Sequence, residues 1–428
     1  MNEYYKQLIA YRRKFHQIAE LGFLEMQTTI ELLKIVRKLH VEIRYGRSIH
    51  GHRDGLPPAT VMQAHAKTLD LEGVDFDIED IKKGYTGLIL DIDTGREGPK
   101  ICFRFDIDAL PIRETSDPSH LPNQLEFRSQ NEGNCHACAH DGHISLGLVL
   151  AQYLCDHRES LVGSYRIIFQ PAEEGVHGGK SMTEKGCVDE VTYMVGSHIG
   201  LNEKSNTVGV GTEGFLSSKK FDVTYWGRSA HSANNPEYGR NALLGAASLC
   251  LNLNGLIQYS SSNTKLNIGY LNAGNTRNII AQDSFLQGEI RADHYTTLKD
   301  LWYKVVHAVQ GSALTYGLQY RIDEVGEAID FKTEHPDFVD LMNKKLKDRG
   351  FQTNLRPRLT GSEDVTYMLR RVEEQGGKSI HFLLGTKLKA PHHNEGFDFD
   401  ENVLPLGLNL FIEVISILVE DHQKTCTR

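Results

Sequence analysis

The chain has 428 residues, more than one ordinary hydrophobic core holds, and its length predicts two or three domains. Its formal net charge of −9 argues against a nucleic-acid-binding protein, because such domains usually carry a basic excess. Its seven cysteines are too sparse for a small disulfide-rich secreted domain, and the N-terminal residues lack the apolar core of a signal peptide. No run approaches the roughly eighteen apolar residues of a membrane span. We therefore expect a cytoplasmic protein with neither a membrane nor a nucleic-acid partner.

Hydrophobic periodicity in the first part of the chain predicts a mixture of helices and strands. The predicted elements are helices over 3–18 and 26–42, an irregular excursion over 43–84, and strands over 87–93 and 100–110. On the second strand Arg104, Asp106 and Asp108 alternate, which predicts that they share one face. They are either groups that build a site or the polar edge of the strand.

Residues 135–143 read Cys-His-Ala-Cys-Ala-His-Asp-Gly-His and concentrate potential metal ligands. The candidates are Cys135, His136, Cys138, His140, Asp141 and His143. Zinc and manganese sites take thiolate, imidazole and carboxylate ligands, all of which this segment offers. The apolar run 144–154 predicts a buried helix, so the segment is expected to form the loop that enters it. The pattern alone leaves open which of the six bind.

Two later strands also end in polar residues. The strand 165–170 is followed by Glu173 and Glu174, and the strand 191–198 ends in His198. Sites of α/β sheets form outside the carboxyl ends of strands, so these residues are expected to converge with the cysteine segment. Adjacent glutamates face different directions, so one can bind metal while the other acts as the general base of a hydrolase. The alternatives are a solvated acidic pair and a structural histidine.

The loop before the final predicted helix contains His392 and His393. Adjacent histidines cannot easily both ligate one ion, so one of the two is expected to bind. Before this loop the pattern predicts helices near 335–348 and 363–371 and a strand at 379–384, and after it a helix over 401–418.

Residues 214–326 have a different order of elements, βαββαβ, which is the split βαβ arrangement of a ferredoxin-like domain. We therefore predict an α/β protein in which this small domain is inserted into a larger mixed-sheet domain formed by residues 1–213 and 327–428. In the small domain, His231 could stabilise a developing oxyanion. Asn278 and Arg291 could bind the amide and the carboxylate of a substrate.

Nine segments, taken together and in order, resemble the M20 family of metal-dependent amidohydrolases and peptidases over nearly the whole chain. They are RRKFHQIAELGFLE, FRFDIDALPI, CHACAHDGH, IFQPAEEG, SHIG, GRSAHSANNPEYGRNAL, NTRNII, GSED and HHNEGFDFDE. The resemblance is to the amidohydrolase branch and implies cleavage of the amide bond of an N-acyl amino acid, foremost p-aminobenzoyl-glutamate. Other N-acyl amino acids, such as indoleacetyl-aspartate or hippurate, and dipeptides are alternatives, and a non-catalytic binding subunit is an alternative of another class.

Carried over residue by residue, the resemblance implies roles for the candidate residues. Two divalent ions, manganese or zinc, would be held by Cys138, His140, Glu174, His198 and His393. Glu173 would be the general base, His231 would reach the active site of the partner protomer, and Asn278 and Arg291 would bind substrate. The small domain would form a homodimer, and a second related subunit is a further candidate partner.

Two positions depart from the family pattern. The usual glycine between the ligand Cys and His is Ala139 here, and a proline that commonly follows Asn278-Ile279-Ile280 is replaced by Ala281. If position 139 requires a positive φ, alanine strains the loop.

Overall fold

The computed structural model describes residues 1–426, with side chains up to Lys424. The chain forms two compact units. Unit 1 consists of Met1–Glu213, Phe331–Leu359 and the part of the chain from Asp364 onward. Unit 2 consists of Gly214–Asp330 and Thr360–Glu363.

Helices and strands alternate through most of the described chain. The helices are α1 (Asn2–Gln17), α2 (Met26–Val36), α3 (Ala59–His65), α4 (Leu121–Gln124), α5 (His140–Asp156), α6 (Gly178–Glu184), α7 (Ala242–Asn254), α8 (Tyr295–Tyr316), α9 (Pro336–Asp348), α10 (Val365–Glu374) and α11 (Val403–Cys426). The strands are β1 (Glu42–Tyr45), β2 (Leu88–Asp93), β3 (Lys100–Asp106), β4 (Ser164–Gln170), β5 (Tyr193–Ile199), β6 (Thr207–Val210), β7 (Ser217–Trp226), β8 (Thr264–Ala273), β9 (Asp283–Ala292), β10 (Gln319–Ala328), β11 (Gln352–Leu355) and β12 (Lys378–Leu384).

Unit 1 is built on an eight-stranded mixed sheet with the order β1-β2-β4-β3-β5-β12-β6-β11. Its four central strands, β4, β3, β5 and β12, run parallel to their neighbours in this group. Parallel strands at the centre of a sheet are covered on both faces, and accordingly these strands are almost entirely buried. Their carboxyl ends lie at one edge, where a site is expected. The predicted mixed α/β fold is confirmed.

Unit 2 has an antiparallel sheet with the strand order β10-β7-β9-β8. Together with α7 and α8 these strands follow the βαββαβ order expected from the sequence. Both helices contact the sheet, and the apolar core between them contains Phe221, Val223, Leu249, Leu286 and Val305.

The excursion over 43–84 is more regular than the sequence predicts. The helix predicted to reach residue 42 ends at Val36, and Glu42–Tyr45 pairs with β2 instead. A seven-residue helix, α3, follows, and His65 at its end lies 2.6 Å from a carboxylate oxygen of Glu20. A four-residue strand and a helix of two turns are too short to show a clear hydrophobic period, which is why they were missed.

Helix α11 contradicts the expectation that no segment is long and apolar enough to span a membrane. Val403–Lys424 has 22 residues and contains a window of mean hydropathy 1.9. Polar residues such as Asn409 and Ser416 interrupt the apolar run without lowering this mean far. However, 56% of the window is buried inside the protein, as in a core helix, so this single helix is weak evidence for a membrane span.

A buried arginine joins three segments of unit 1. The Arg12 side chain is 1% exposed. Its guanidinium lies 2.9 Å from Asp141, 2.5 Å from Asp398 and 3.1 Å from Glu401. Removing one partner of a buried ion pair leaves the opposite charge buried and uncompensated. The contact therefore fixes α1 to the start of α5 and to the chain before α11.

We predict that Arg12→Met lowers the free energy of unfolding by about 3–5 kcal/mol, because Asp398 remains buried without its cation and Asp141 keeps only His16. Arg13→Met is the matched control, since Arg13 is 33% exposed and pairs with Glu401. Its expected cost is below about 1 kcal/mol. Urea unfolding of the wild type and the two variants measures the loss of free energy of unfolding in each variant. Equal losses in Arg12→Met and Arg13→Met would contradict the structural role of Arg12.

Candidate metal centre

The loops after the central strands carry most of the candidate residues. Strand β3 ends at Asp106, β4 ends at Gln170 just before Glu173 and Glu174, and β5 contains His198 as its penultimate residue. The alternating pattern predicts Arg104, Asp106 and Asp108 on one face of a strand, but β3 ends at Asp106, so Asp108 lies in the following loop.

The cysteine segment leads directly into α5. The helix begins at His140 rather than at residue 144, because the N–H groups of Gly142 and His143 already donate to the carbonyl of Ala139. Ala139 has φ +65, the left-handed conformation that favours glycine. Alanine in place of glycine at this position is therefore strained. Cys138 and His140 flank this residue.

The structure brings all five proposed ligands together with Glu173. Their ligand atoms form three overlapping groups, and within each group all atoms lie within 4.8 Å of one another. The groups are Cys138, His140 and His198; Cys138, Glu174 and His393; and His140, Glu173 and Glu174. A distance of 3.5 Å separates Cys138 Sγ from His198 Nε2. Four distant segments of the chain thus converge on one cluster.

Two histidines are each fixed through Nδ1, which leaves Nε2 on the side of the neighbouring ligand atoms. His140 Nδ1 donates to the carbonyl of Asp108 at 2.9 Å, and His198 Nδ1 donates to the carbonyl of Ile199 at 2.8 Å. Since a carbonyl only accepts, each Nδ1 carries a proton, and in the neutral ring Nε2 is the atom with a lone pair. Such hydrogen bonds orient metal-ligating histidines.

The cluster fits a divalent cation. His140 Nε2 is buried without a hydrogen-bond partner among the described residues. Carboxylate oxygens of Asp106, Glu174 and Glu173 surround it at 3.7, 3.8 and 4.0 Å. Thiol, imidazole and carboxylate donors at such spacing suit zinc or manganese.

Burial disfavours the charged forms of two proposed ligands in the absence of a cation. It raises the pKa of Glu174 to about 7, although His140 opposes the shift. It also raises the pKa of the Cys138 thiol well above its ordinary value. A bound divalent ion would offset the unfavourable free energy of burying these two charged groups, because its positive charge compensates the carboxylate and the thiolate.

The geometry favours His393 over His392 as a ligand. His392 Nε2 donates to the carbonyl of Ile199 at 3.1 Å, so that nitrogen is already used. His393 Nε2 lies 3.3 Å from an Oε2 oxygen of Glu174 and belongs to one of the three groups.

The other residues of the cysteine segment have different surroundings. Asp141 contacts Arg12 and His16, and His143 contacts Asp106. Cys135 and His136 are buried, and neither belongs to a group of potential ligands among the described residues.

The sequence leaves the role of Asp106 open and predicts no role for Asp364. Asp106 forms a fourth group with His140 and His143, and it pairs with the buried Arg104. Arg104 in turn lies 3.0 Å from Asp364. The signals for this network are the alternation of charges on β3 and the GSED segment that ends in Asp364, but two segments so far apart in sequence do not show that they meet.

The three remaining candidates belong to unit 2. His231 is exposed, and its Nδ1 accepts the N–H groups of Ala233 and Asn234 at 3.2 and 3.1 Å. Asn278 is exposed. Arg291 lies on β9 and makes a bidentate contact with Glu289 at 3.0 and 3.1 Å. It lines a cavity of about 500 Å³ together with Lys265.

We predict that His393→Ala lowers the metal content of the purified protein, whereas His392→Ala leaves it nearly unchanged. The two variants remove the same side chain at adjacent positions, so each controls for the other. Elemental analysis after dialysis against a weak chelator measures the difference. The same metal content in both variants would contradict the assignment of His393.

Comparison with known proteins identifies the family. The model of "Peptidase family M20/M25/M40" matches residues 102–416. A homolog of one p-aminobenzoyl-glutamate hydrolase subunit, from Haemophilus influenzae, is 34% identical over 433 residues, which cover 98% of this chain and 100% of that protein. Indole-3-acetyl-aspartic acid hydrolase of Enterobacter agglomerans is 34% identical over 95% of this chain and 96% of its own. The crystal structure of an aminobenzoyl-glutamate utilization protein from Klebsiella pneumoniae matches with a TM-score of 0.81 and 29% identity over 97% of both chains. The chain therefore belongs to peptidase family M20/M25/M40.

Proposed function

We propose that the protein is a metal-dependent amidohydrolase that cleaves p-aminobenzoyl-glutamate into p-aminobenzoate and glutamate. The observation that carries this proposal is the buried cluster of Cys138, His140, Glu174 and His198 with Glu173 beside it. The relatives named for p-aminobenzoyl-glutamate support the choice of substrate. An N-acyl amino acid with a different aromatic group, such as indoleacetyl-aspartate, is the second candidate, since an equally similar relative is named for it.

The ligands of the proposed two-ion centre are Cys138, His140, Glu174, His198 and His393. Cys138, His140 and Glu174 each belong to two of the three overlapping groups, and the resemblance to the M20 family implies two ions, manganese or zinc. When bound, such ions supply a Lewis acid for the amide carbonyl and lower the pKa of water.

The surroundings of Glu173 support its proposed role as the general base. It is 6% exposed, and its Oε2 lies 4.0 Å from His140 Nε2. Glu174, its neighbour, has an Oε2 atom 3.3 Å from His393 Nε2, so the two glutamates are suited to different roles. Glu173 would take a proton from the attacking water and give it to the nitrogen of the departing amino acid.

Three residues of unit 2, His231, Asn278 and Arg291, are proposed to act on the substrate. Arg291 carries a guanidinium that suits the carboxylate of an amino acid, which could replace Glu289 as its bidentate partner. Asn278 would hydrogen-bond the substrate amide, and His231 would stabilise the oxyanion in the other protomer of a homodimer. Exposed apolar side chains in this unit, such as Leu251 at 78% and Leu314 at 85%, support an interface formed by residues 214–326.

Two further expectations concern the setting of the enzyme. Because the relative from Haemophilus influenzae is named as a homolog of one hydrolase subunit, a second related subunit is proposed to be an additional partner. The six described cysteines are all free, which supports a cytoplasmic location.

We predict that Glu173→Gln retains its metal ions but hydrolyses p-aminobenzoyl-glutamate at least about 100-fold more slowly, because an amide cannot accept the proton. Release of p-aminobenzoate measures turnover, and elemental analysis verifies that the metal is bound. A metal-loaded Glu173→Gln protein with wild-type turnover would refute the assignment of the base.

A further inference from the structure

Two buried carboxylates hold the turn that carries Glu173. The N–H of Ala172, just before it, donates to Glu25 Oε1 at 2.7 Å. The N–H of Glu174, just after it, donates to Asp108 Oδ2 at 3.0 Å. The backbone is therefore fixed on both sides of the proposed base. These two hydrogen bonds set the direction in which the Glu173 side chain points.

The turn has a backbone conformation that needs such support. Ala172 has φ +55, which L-residues rarely adopt. Its carbonyl accepts the N–H groups of His177 at 3.0 Å and Gly178 at 3.2 Å. The turn also packs on Gly22, where an added Cβ would lie 3.0 Å from the Cβ of Ala172. Strained backbone at a site persists only when surrounding contacts hold it.

Glu25 is well suited to hold the turn. Its side chain is fully buried, and its second oxygen accepts the hydroxyl of Thr86 at 2.7 Å. No arginine, lysine or histidine pairs with it among the described residues, so its contacts are hydrogen bonds from neutral donors. A buried carboxylate without a cation is costly to the folded state, which indicates that it contributes something other than stability.

We propose that Glu25 is a positioning residue for hydrolysis, acting through the Ala172 N–H to direct the Glu173 carboxylate at the metal cluster. The inference rests on the proposed function, in which Glu173 is the general base. Thr86 holds Glu25 in turn. Because a misplacement of about 1 Å costs as much as about 100-fold in rate, loss of this support affects turnover more than binding.

The test uses the full-length protein loaded with Mn²⁺ and p-aminobenzoyl-glutamate as substrate. We expect Glu25→Ala to lower kcat by about 10- to 100-fold, with KM changed by less than about threefold and the metal content unchanged. In Glu25→Gln the amide oxygen still accepts the Ala172 N–H, and the amide NH₂ donates to the Thr86 hydroxyl. This conservative variant should retain kcat within about threefold of the wild type.

Glu20 provides a matched control from the same segment. It is also a buried carboxylate, and it accepts the N–H groups of Gln27 at 3.0 Å and Thr28 at 2.7 Å, on the first turn of α2. Glu20→Ala should therefore destabilise the protein in urea while leaving kcat unchanged. If Glu25→Ala does not fold, Thr86→Val replaces it, with an expected decrease in kcat of about 3- to 10-fold.

Three results, each obtained with an active wild-type protein, would overturn the role of Glu25. They are a kcat of the folded Glu25→Ala variant within about threefold of the wild type, an equal loss in Glu20→Ala, and a Glu25→Gln variant as slow as Glu25→Ala. In contrast, a metal-loaded wild-type protein that does not hydrolyse the substrate would overturn the proposed function and this inference with it.

Discussion

Burial of mutually close thiol, imidazole and carboxylate groups is the constraint on which the candidate site depends. Ligand atoms of the buried Cys138, His140 and His198 lie within 4.8 Å of one another, as do those of the buried His140 and Glu173 and the largely buried Glu174. Such groups are costly to bury unless they are hydrogen-bonded or bind a cation. The free energy of binding a divalent ion would therefore also stabilise the folded state of this part of unit 1.

Networks behind the cluster position the ligands. Asp108 accepts the Glu174 N–H with its carboxylate and the His140 Nδ1–H with its carbonyl, so one residue orients two proposed ligands. Arg12 holds Asp141, the second residue of α5, and so supports the helix that begins with His140. These contacts join α1, the β3 loop and α5, which explains how residues far apart in sequence keep a common geometry.

The secondary structure could be predicted from the sequence where the hydrophobic pattern is long enough to show its period. Long buried strands such as β4 and the βαββαβ order of unit 2 were predicted correctly, because their apolar runs are long enough to show a period. The four-residue strands β1, β6 and β11 were not predicted, since pairing with neighbours rather than local pattern decides them. The membrane criterion failed at α11 because a mean over a window tolerates polar residues that interrupt a run.

Residue types identified the possible ligands, but their spacing did not select among them. The six candidates of residues 135–143 were reduced to Cys138 and His140 by resemblance, and the structure places both in the cluster. The contributions of Asp108 and Glu25 could not be predicted, because they depend on hydrogen bonds to the backbone of the remote turn that carries Glu173. No sequence pattern reports such contacts.

The most direct test of the account is turnover by the purified chain alone, after removal of metal and addition of Mn²⁺ or Zn²⁺. The substrates are p-aminobenzoyl-glutamate, indoleacetyl-aspartate, hippurate and a dipeptide. The account predicts metal-dependent hydrolysis with the highest kcat/KM for p-aminobenzoyl-glutamate. Failure to hydrolyse any of the four, with less than one ion bound per chain, would contradict it and favour a non-catalytic binding subunit.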